Sequence, residues 1–321
     1  MKIKQLISIA FIGAFIFSTL TLTSSKAADS KGNAYGFWTK ARLESAQPIE
    51  LVVDEKTKTG KIVREMKGTN STSSTSTSGA NWGKGGNPLN WTGKIFFTAG
   101  QSTYVCSGAF VNDNLIGKSI VQTAGHCAWD QGSSSFVSNF VFIPAYQSNP
   151  VNDCSTNPDR CFIGEKIYVR NDFANQTSFN SISLLNDWAY VVLNKEFVGG
   201  FNINFDNNYK NGNVSSFGYP AVAPYNGKQL INCQNPIFKD LKNANNTWGM
   251  NCSMTGGASG GPWIYPWDSL SNTGIIFSLN SYKYGTDKSK MYGPMFNSTT
   301  ADTFNSANSN IGYVASGVKA S

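Results

Sequence analysis

The sequence predicts an all-β chain, a sandwich or barrel built from many short strands. Three observations carry this. Glycine is abundant, with 31 residues, and Asn, Ser and Thr are dense throughout, while leucine-rich helical stretches are scarce. Short apolar or β-branched runs recur at regular spacing. Turn dipeptides such as Asn-Asp, Asn-Gly, Gly-Gly and Asn-Pro fall between those runs. The 321 residues would allow two domains on length alone, but all-β barrels often pass 200 residues as one unit. A hydrophobic content of 40% is ample for a core.

Taken from the start, residues 1–27 read as an export address. Lys2 and Lys4 form a basic head, Leu6 to Leu22 is an apolar run of 17 residues, and Ser25-Lys26-Ala27 offers a small-x-small cleavage site. The run is short for a membrane span and the cleavage site follows it directly, so a cleaved signal peptide is expected rather than an anchor. Residues 28–88 are expected to form a propeptide or N-terminal extension. It contains one strand-like stretch, Ile49 to Val53, and a Ser/Thr-rich linker at 69–80 that cannot bury a core. Arg64, Lys67 and Lys84 offer processing points, none of them distinctive. Ordered β structure is expected from near Gly93. The strand-like runs are Lys94–Thr98, Tyr104–Val111, Ser119–Thr123, Phe136–Ile143, Lys166–Val169, Trp188–Leu193, Val214–Phe217, Pro262–Tyr265 and Gly274–Leu279. Residues 89–321 then form one domain, with no pattern assigned from Thr299 onward.

The formal net charge is +7, and removing residues 1–27 deletes three lysines and no acids, leaving 7 − 3 = +4. No Lys/Arg cluster stands out, so nucleic acid is not an expected partner. Six cysteines, Cys106, Cys127, Cys154, Cys161, Cys233 and Cys252, form an even set in an exported chain and suggest three disulfides, with 15 possible pairings. A metal site is disfavoured, because no C-x-x-C occurs and the chain has one histidine.

That histidine is His126, in Val121-Gln-Thr-Ala-Gly-His-Cys127 after a strand. Histidine serves as a general base at neutral pH because its ordinary pKa is about 6.5. Ser259 lies in Gly256-Gly-Ala-Ser-Gly-Gly-Pro262. Glycines on both sides permit a tight turn and close approach of a substrate. Such a turn can aim the Gly257 and Ser259 N–H groups at one developing oxyanion. Asp187 precedes the apolar run Trp188–Leu193. A buried carboxylate needs a partner, and a histidine N–H would supply one while fixing the tautomer. The chain order is His, Asp, Ser, the order of chymotrypsin, which is the worked template for this chemistry.

Together, Cys106-Ser-Gly-Ala-Phe-Val111, Thr123-Ala-Gly-His-Cys127, Asn186 through Leu193 and Gly257-Ala-Ser-Gly-Gly-Pro262 resemble the trypsin-like (chymotrypsin-fold) serine protease family, in a bacterial branch closer to glutamyl-endopeptidase-like enzymes than to digestive ones. The resemblance covers roughly residues 90–285. It implies two six-stranded antiparallel β-barrels with the active site between them. It implies a triad of His126, Asp187 and Ser259, an oxyanion hole of Gly257 and Ser259 N–H groups, and a Cys106–Cys127 bridge. Sequence proximity then suggests Cys154–Cys161 and Cys233–Cys252. Three departures stand out. Ala258 replaces the family's Asp, which receives a freed N-terminal amine on activation, so activation by that insertion is in doubt, although a pro-segment could still block the cleft sterically. Ser253, six residues before the nucleophile at the family's specificity position, carries no charge to select basic side chains. The strand Gly274–Ser281 lacks the second histidine that glutamyl endopeptidases use. Ser278, Asn280 and Ser281 fall where the family's strand binds substrate backbone.

The expected activity is that of a secreted serine endopeptidase acting on proteins or peptides through an acyl-enzyme. It would need no metal or organic cofactor, would act as a monomer, and would hold no stable membrane association after signal cleavage. The alternatives are a secreted binding or adhesion protein on a catalytically weak protease fold, and a secreted esterase, against which the His–Asp–Ser order and Ser-Gly-Gly-Pro both argue.

Overall fold

The computed structural model describes residues 34–68, 79–147, 153–207, 209, 212–244, 246–266, 268 and 274–321. The expected signal peptide and most of the Ser/Thr-rich linker lie outside them. Two antiparallel barrels organise the chain. The first closes through six strands, Thr92–Ala99, Ser102–Val111, Ser119–Thr123, Ala189–Leu193, Phe162–Arg170 and Ser138–Pro144, the last pairing back to the first. Their inward residues are large and apolar. Phe110 meets Phe142 and Phe162 edge-on at 4.8 and 5.2 Å, a favoured geometry for buried rings.

The second barrel follows the strands Pro262–Ile264, Asn213–Gly218, Ile231–Lys239, Thr247–Asn251 and Asp287–Pro294. It closes through Ile275–Leu279 and Tyr282–Tyr284, two halves of one wall broken at Asn280 and Ser281. The described helices are short; the longest, Ser298–Ala307, is capped by Asn297 and lies against the first barrel, where Phe304 meets Tyr190. The strand Val318–Ala320 then extends the same barrel beside Phe162–Arg170. No helix among the described residues is long and apolar enough to cross a membrane.

Eight of the nine expected strands occur with ends shifted by a few residues; the ninth, Phe136–Ile143, is broken at Val137 into Ser135–Phe136, paired with Trp129–Asp130, and the barrel strand Ser138–Pro144. The four second-barrel segments at 231–239, 247–251, 282–284 and 287–294 carry no clear sequence signal because polar residues and glycine interrupt their apolar runs. Ile231–Lys239 holds two asparagines, a glutamine and a proline, with exposure growing towards its end. Three disulfides form, Cys106–Cys127, Cys154–Cys161 and Cys233–Cys252.

One expectation is corrected. Ordered β structure begins not near Gly93 but at Gln47. The first β-strand, β1 (Gln47–Val53), turns at Asp54–Thr59 and returns antiparallel as β2 (Gly60–Arg64). Two one-turn helices, Ala34–Phe37 and Lys40–Ser45, precede it, and between them Trp38 is fully buried and donates to Asn139 O at 2.6 Å. The extension buries its apolar residues against the barrels: Ile49, Leu51 and Val53 are at most 3% exposed. The strand was legible only in part, since Pro48 and Glu50, both buried with it, interrupt the apolar run.

Candidate active site

His126 lies in a single 3-10 turn, Gly125–Cys127, just past the strand Ser119–Thr123. The Cys106–Cys127 bridge staples that turn to the neighbouring strand. Space is tight at Gly125: a Cβ there would stand 3.0 Å from the Phe173 ring and 3.1 Å from Asp187 Oδ1, so a larger residue would push on both. Asp187 sits between the helix Ser181–Leu185, capped by Asn180, and the strand Ala189–Leu193. Pairing of Ala189 with Thr123 brings the two turns side by side.

Asp187 is fully buried and accepts three hydrogen bonds: from His126 N–H at 2.8 Å, His126 Nδ1 at 2.8 Å and Ser281 Oγ at 2.5 Å. A buried carboxylate with three donors is compensated for its lost hydration. Because Nδ1 faces a carboxylate, the ring proton belongs there, and Nε2 carries the lone pair. His126 Nε2 is buried and accepts no hydrogen bond.

The Ser259 loop is clamped from both barrels. Ser107, on the first barrel, donates its N–H to Ser259 O at 2.7 Å and its Oγ to Gly257 O at 2.8 Å. From the second barrel, Ala221 N–H donates to Gly256 O at 2.8 Å. Gly260 N–H donates to Asn280 O at 2.7 Å, and Asn280 Nδ2 donates to Ala258 O at 3.1 Å. Ala258 is fully buried against Gly218, so the loop holds this shape without the ion pair that an Asp would bring. Gly257 adopts a positive φ of 95°, which turns its N–H outward, and a Cβ there would meet Tyr219 O at 3.0 Å.

Of the other expected residues, Ser281 joins the site through Asp187. Ser278 and Asn280 are fully buried, with their side chains committed to the wall. Ser278 Oγ donates to Pro294 O at 2.8 Å, and Asn280 Oδ1 accepts from Ser216 Oγ and Trp263 Nε1 at 2.8 and 2.7 Å. A break in a barrel wall turns alternate side chains inward, and the sequence does not mark which. Ser253 is half-buried next to Cys252. Cys106, Cys127 and His126 cluster closely, but both sulfurs are spent in a disulfide and cannot bind a metal as thiolates.

A feature absent from the sequence reading is what crosses this site. Ile49 O accepts a hydrogen bond from Gly257 N–H at 3.0 Å. Ile49 also lines, with His126, Phe179, Trp129 and Tyr104, a cavity of about 400 Å³ beside the first barrel. Next to it Glu50 is 6% exposed, and burial pushes its carboxyl above the ordinary range against the opposing pull of the Lys283 charge. Burial likewise pushes Lys283 down to about 8.

Paired six-stranded barrels with a His–Asp couple from one and a glycine-flanked serine between them make up the architecture of a chymotrypsin-type protease. No protein-family model and no curated protein sequence matches the chain. Solved structures do. The protease Anisep from Arthrobacter nicotinovorans shares 35% identity, covering 69% of this chain and 97% of that one, with a TM-score of 0.58. A thermostable serine protease, AL20, from an extremophilic microorganism shares 31% identity over 69% and 98%, with a TM-score of 0.59. The chain belongs to the trypsin-like serine protease family. A Glu endopeptidase bound to MPD, 17% identical with a TM-score of 0.53, shares the fold.

Proposed function

We propose that this chain is the precursor of a secreted serine endopeptidase, with His126, Asp187 and Ser259 as its catalytic residues. The observation that carries this reading is the buried couple Asp187–His126, held by three hydrogen bonds with Nε2 left open, beside a glycine loop whose Gly257 N–H already holds a peptide carbonyl. The serine protease neighbours support peptide bonds as the substrate. Three disulfides and the leader-like N-terminus support export to an oxidising compartment.

In the proposed reaction, His126 Nε2 removes the Ser259 hydroxyl proton as Oγ attacks the scissile carbonyl carbon. Asp187 keeps the imidazole oriented and stabilises the imidazolium. The Gly257 and Ser259 N–H groups receive the oxyanion. His126 then protonates the leaving amine as the C–N bond breaks, and water, deprotonated by the same nitrogen, hydrolyses the acyl ester to free acid and Ser259. Each step uses groups of this chain and water alone.

The test is labelling by a fluorophosphonate, which phosphonylates an activated serine. Labelling that maps to Ser259 by mass spectrometry and vanishes in Ser259→Ala is expected in the chain after limited proteolysis of the extension. No labelling of any form would overturn the enzyme reading in favour of a binding protein on this fold.

A further inference from the structure

We infer that the N-terminal hairpin is an intramolecular inhibitor that occupies the substrate cleft as a backward strand, which rests on the protease reading above. Four observations place it there. The start of β1 pairs with the first barrel, Gln47 opposite Tyr104 and Pro48 opposite Val105. Its end pairs with the second barrel, Leu51 opposite Tyr282, Val52 opposite Lys283 and Val53 opposite Tyr284. The strand therefore bridges the two barrels across the groove between them. Tyr282 directly follows Ser281, the third donor to Asp187, so β1 runs along the wall of the site itself. At the middle of this crossing, Ile49 O takes the hydrogen bond of Gly257 N–H.

A carbonyl in that position invites attack, yet the direction of the chain forbids turnover. After attack on Ile49, the leaving amine would be the nitrogen of Glu50. Proton delivery to it must come from His126, on the first barrel. In β1 the residues before Ile49 lie along the first barrel and those after it run away along the second. The leaving nitrogen thus points away from the imidazole, and the general acid has no proton path to it. A substrate entering with the opposite polarity places its leaving nitrogen on the His126 side. The hairpin uses the β-augmentation edges that a substrate would use, in the orientation that is not cut.

The rest of the extension holds β1 in place. Gly60 N–H donates to Phe179 O at 2.7 Å, and the Phe179 ring stands edge-on to His126. Gly285 N–H donates to Val53 O at 3.0 Å. Glu55 pairs with Lys242 at 2.5 Å and Glu65 with Lys288 at 3.8 Å, both lysines on the second-barrel side. Gly68 N–H donates to Ala221 O, the last anchor described before the Ser/Thr-rich segment, beyond which Trp82 is buried against Phe217. A cut in that segment would free the hairpin and leave both barrels closed. This arrangement supplies a means of activation that does not depend on an ion pair at Ala258.

The experiment compares fluorophosphonate labelling rates of the intact chain from residue 28, the same chain cut within 65–79, and two intact variants. Leu51→Asp puts a charge into the buried contact with the second barrel. The pair Glu55→Lys with Glu65→Lys reverses both ion pairs at the surface and keeps the variant foldable. The cut chain is expected to label quickly, the intact chain about tenfold or more slowly, and both variants in between or at the rate of the cut chain. A synthetic peptide of residues 46–66, added to the cut chain, is expected to slow labelling competitively and to remain whole by mass spectrometry. Equal labelling of intact and cut wild-type chains would overturn the inference while leaving the protease reading intact. Cleavage of the peptide between Ile49 and Glu50 would overturn it as well, by making β1 a substrate. Failure of every form to label would fell the protease reading itself.

Discussion

The Ser259 loop and the β1–β2 hairpin meet at one hydrogen bond, Gly257 N–H to Ile49 O, and opposite means hold them. The loop is locked by buried hydrogen bonds from both barrels, through Ser107, Ala221 and Asn280, each with little access to water. The hairpin buries one strand, but β2 is half open to solvent, and its ion pairs are partly exposed, with Lys288 at 68% and Lys242 at 38%. Buried polar networks are costly to break, because each lost partner leaves a desolvated group behind. Exposed ion pairs contribute about 0–1 kcal/mol each. One segment is therefore built to persist and the other to be removed, and each side of that contrast can be broken separately.

The largest effect is expected on the persistent side. Asp187→Asn preserves size but supplies an N–H where Nδ1 needs an acceptor. Turnover of a peptide ester by the cut chain is expected to fall by about 10⁴, the loss known for an Asp→Asn change in a Ser-His-Asp triad. Retention of activity within tenfold would show that Asp187 does not orient His126.

Gly260→Ala attacks the clamp rather than the chemistry. A Cβ at 260 would fall 2.1 Å from Thr123 Oγ1 and 2.4 Å from Ser107 O, at a φ of 83°. Backbone must move, so a loss of about 1–3 kcal/mol is expected from the strained conformation alone, with the clash added. Thermal unfolding of the cut chain measures it. An unchanged Tm would mean the loop is less rigidly held than its hydrogen bonds imply.

On the removable side, salt is the gentler probe. At about 1 M salt the Debye length falls to about 3 Å, and the Glu55–Lys242 and Glu65–Lys288 pairs are screened. Labelling of the intact chain should rise a few-fold while that of the cut chain stays level. A rise shared by both would place the salt effect in the reaction and not in the hairpin.

The persistent side was largely legible in the sequence and the removable side was not. His126, Asp187 and Ser259 stand in short stretches whose residue types serve one chemistry, so motif and chain order lead to them. Ser281 was reachable only as part of a region, because its role depends on a break in a barrel wall that also turns Ser278 and Asn280 into the core. Ile49–Val53 reads as a strand, but what it pairs with depends on contacts more than 200 residues away, such as Leu51 with Tyr282. Local pattern carries no record of such partners, nor of strand direction, which is the property that separates an inhibitor from a substrate.

Glu50 offers the finest test of how firmly the hairpin is held. It is buried beside Lys283, with Lys288 and Glu65 further off, and its Oε1 has no hydrogen-bond partner. Burial raises its pKa more than the lysines lower it. A carboxyl whose pKa is raised in the bound hairpin takes up a proton on docking. Docking is therefore strongest at pH below the ordinary carboxylate range, weakens as pH rises from that range to the raised value, and is level above it. Lys283, depressed to about 8, acts in a separate window: its contribution is lost as pH falls from the ordinary lysine range through about 8 and is constant at neutral pH. Glu50→Gln keeps the shape and removes the charge. The intact variant should label about two- to fivefold more slowly than the intact wild type at neutral pH, and its acid-side slope should flatten. Dividing each rate by that of the cut chain at the same pH removes the pH dependence of the labelling reaction itself. Faster labelling of the variant would mean that attraction to Lys283 outweighs the burial of Glu50, and the hairpin would then be held by its charge rather than despite it.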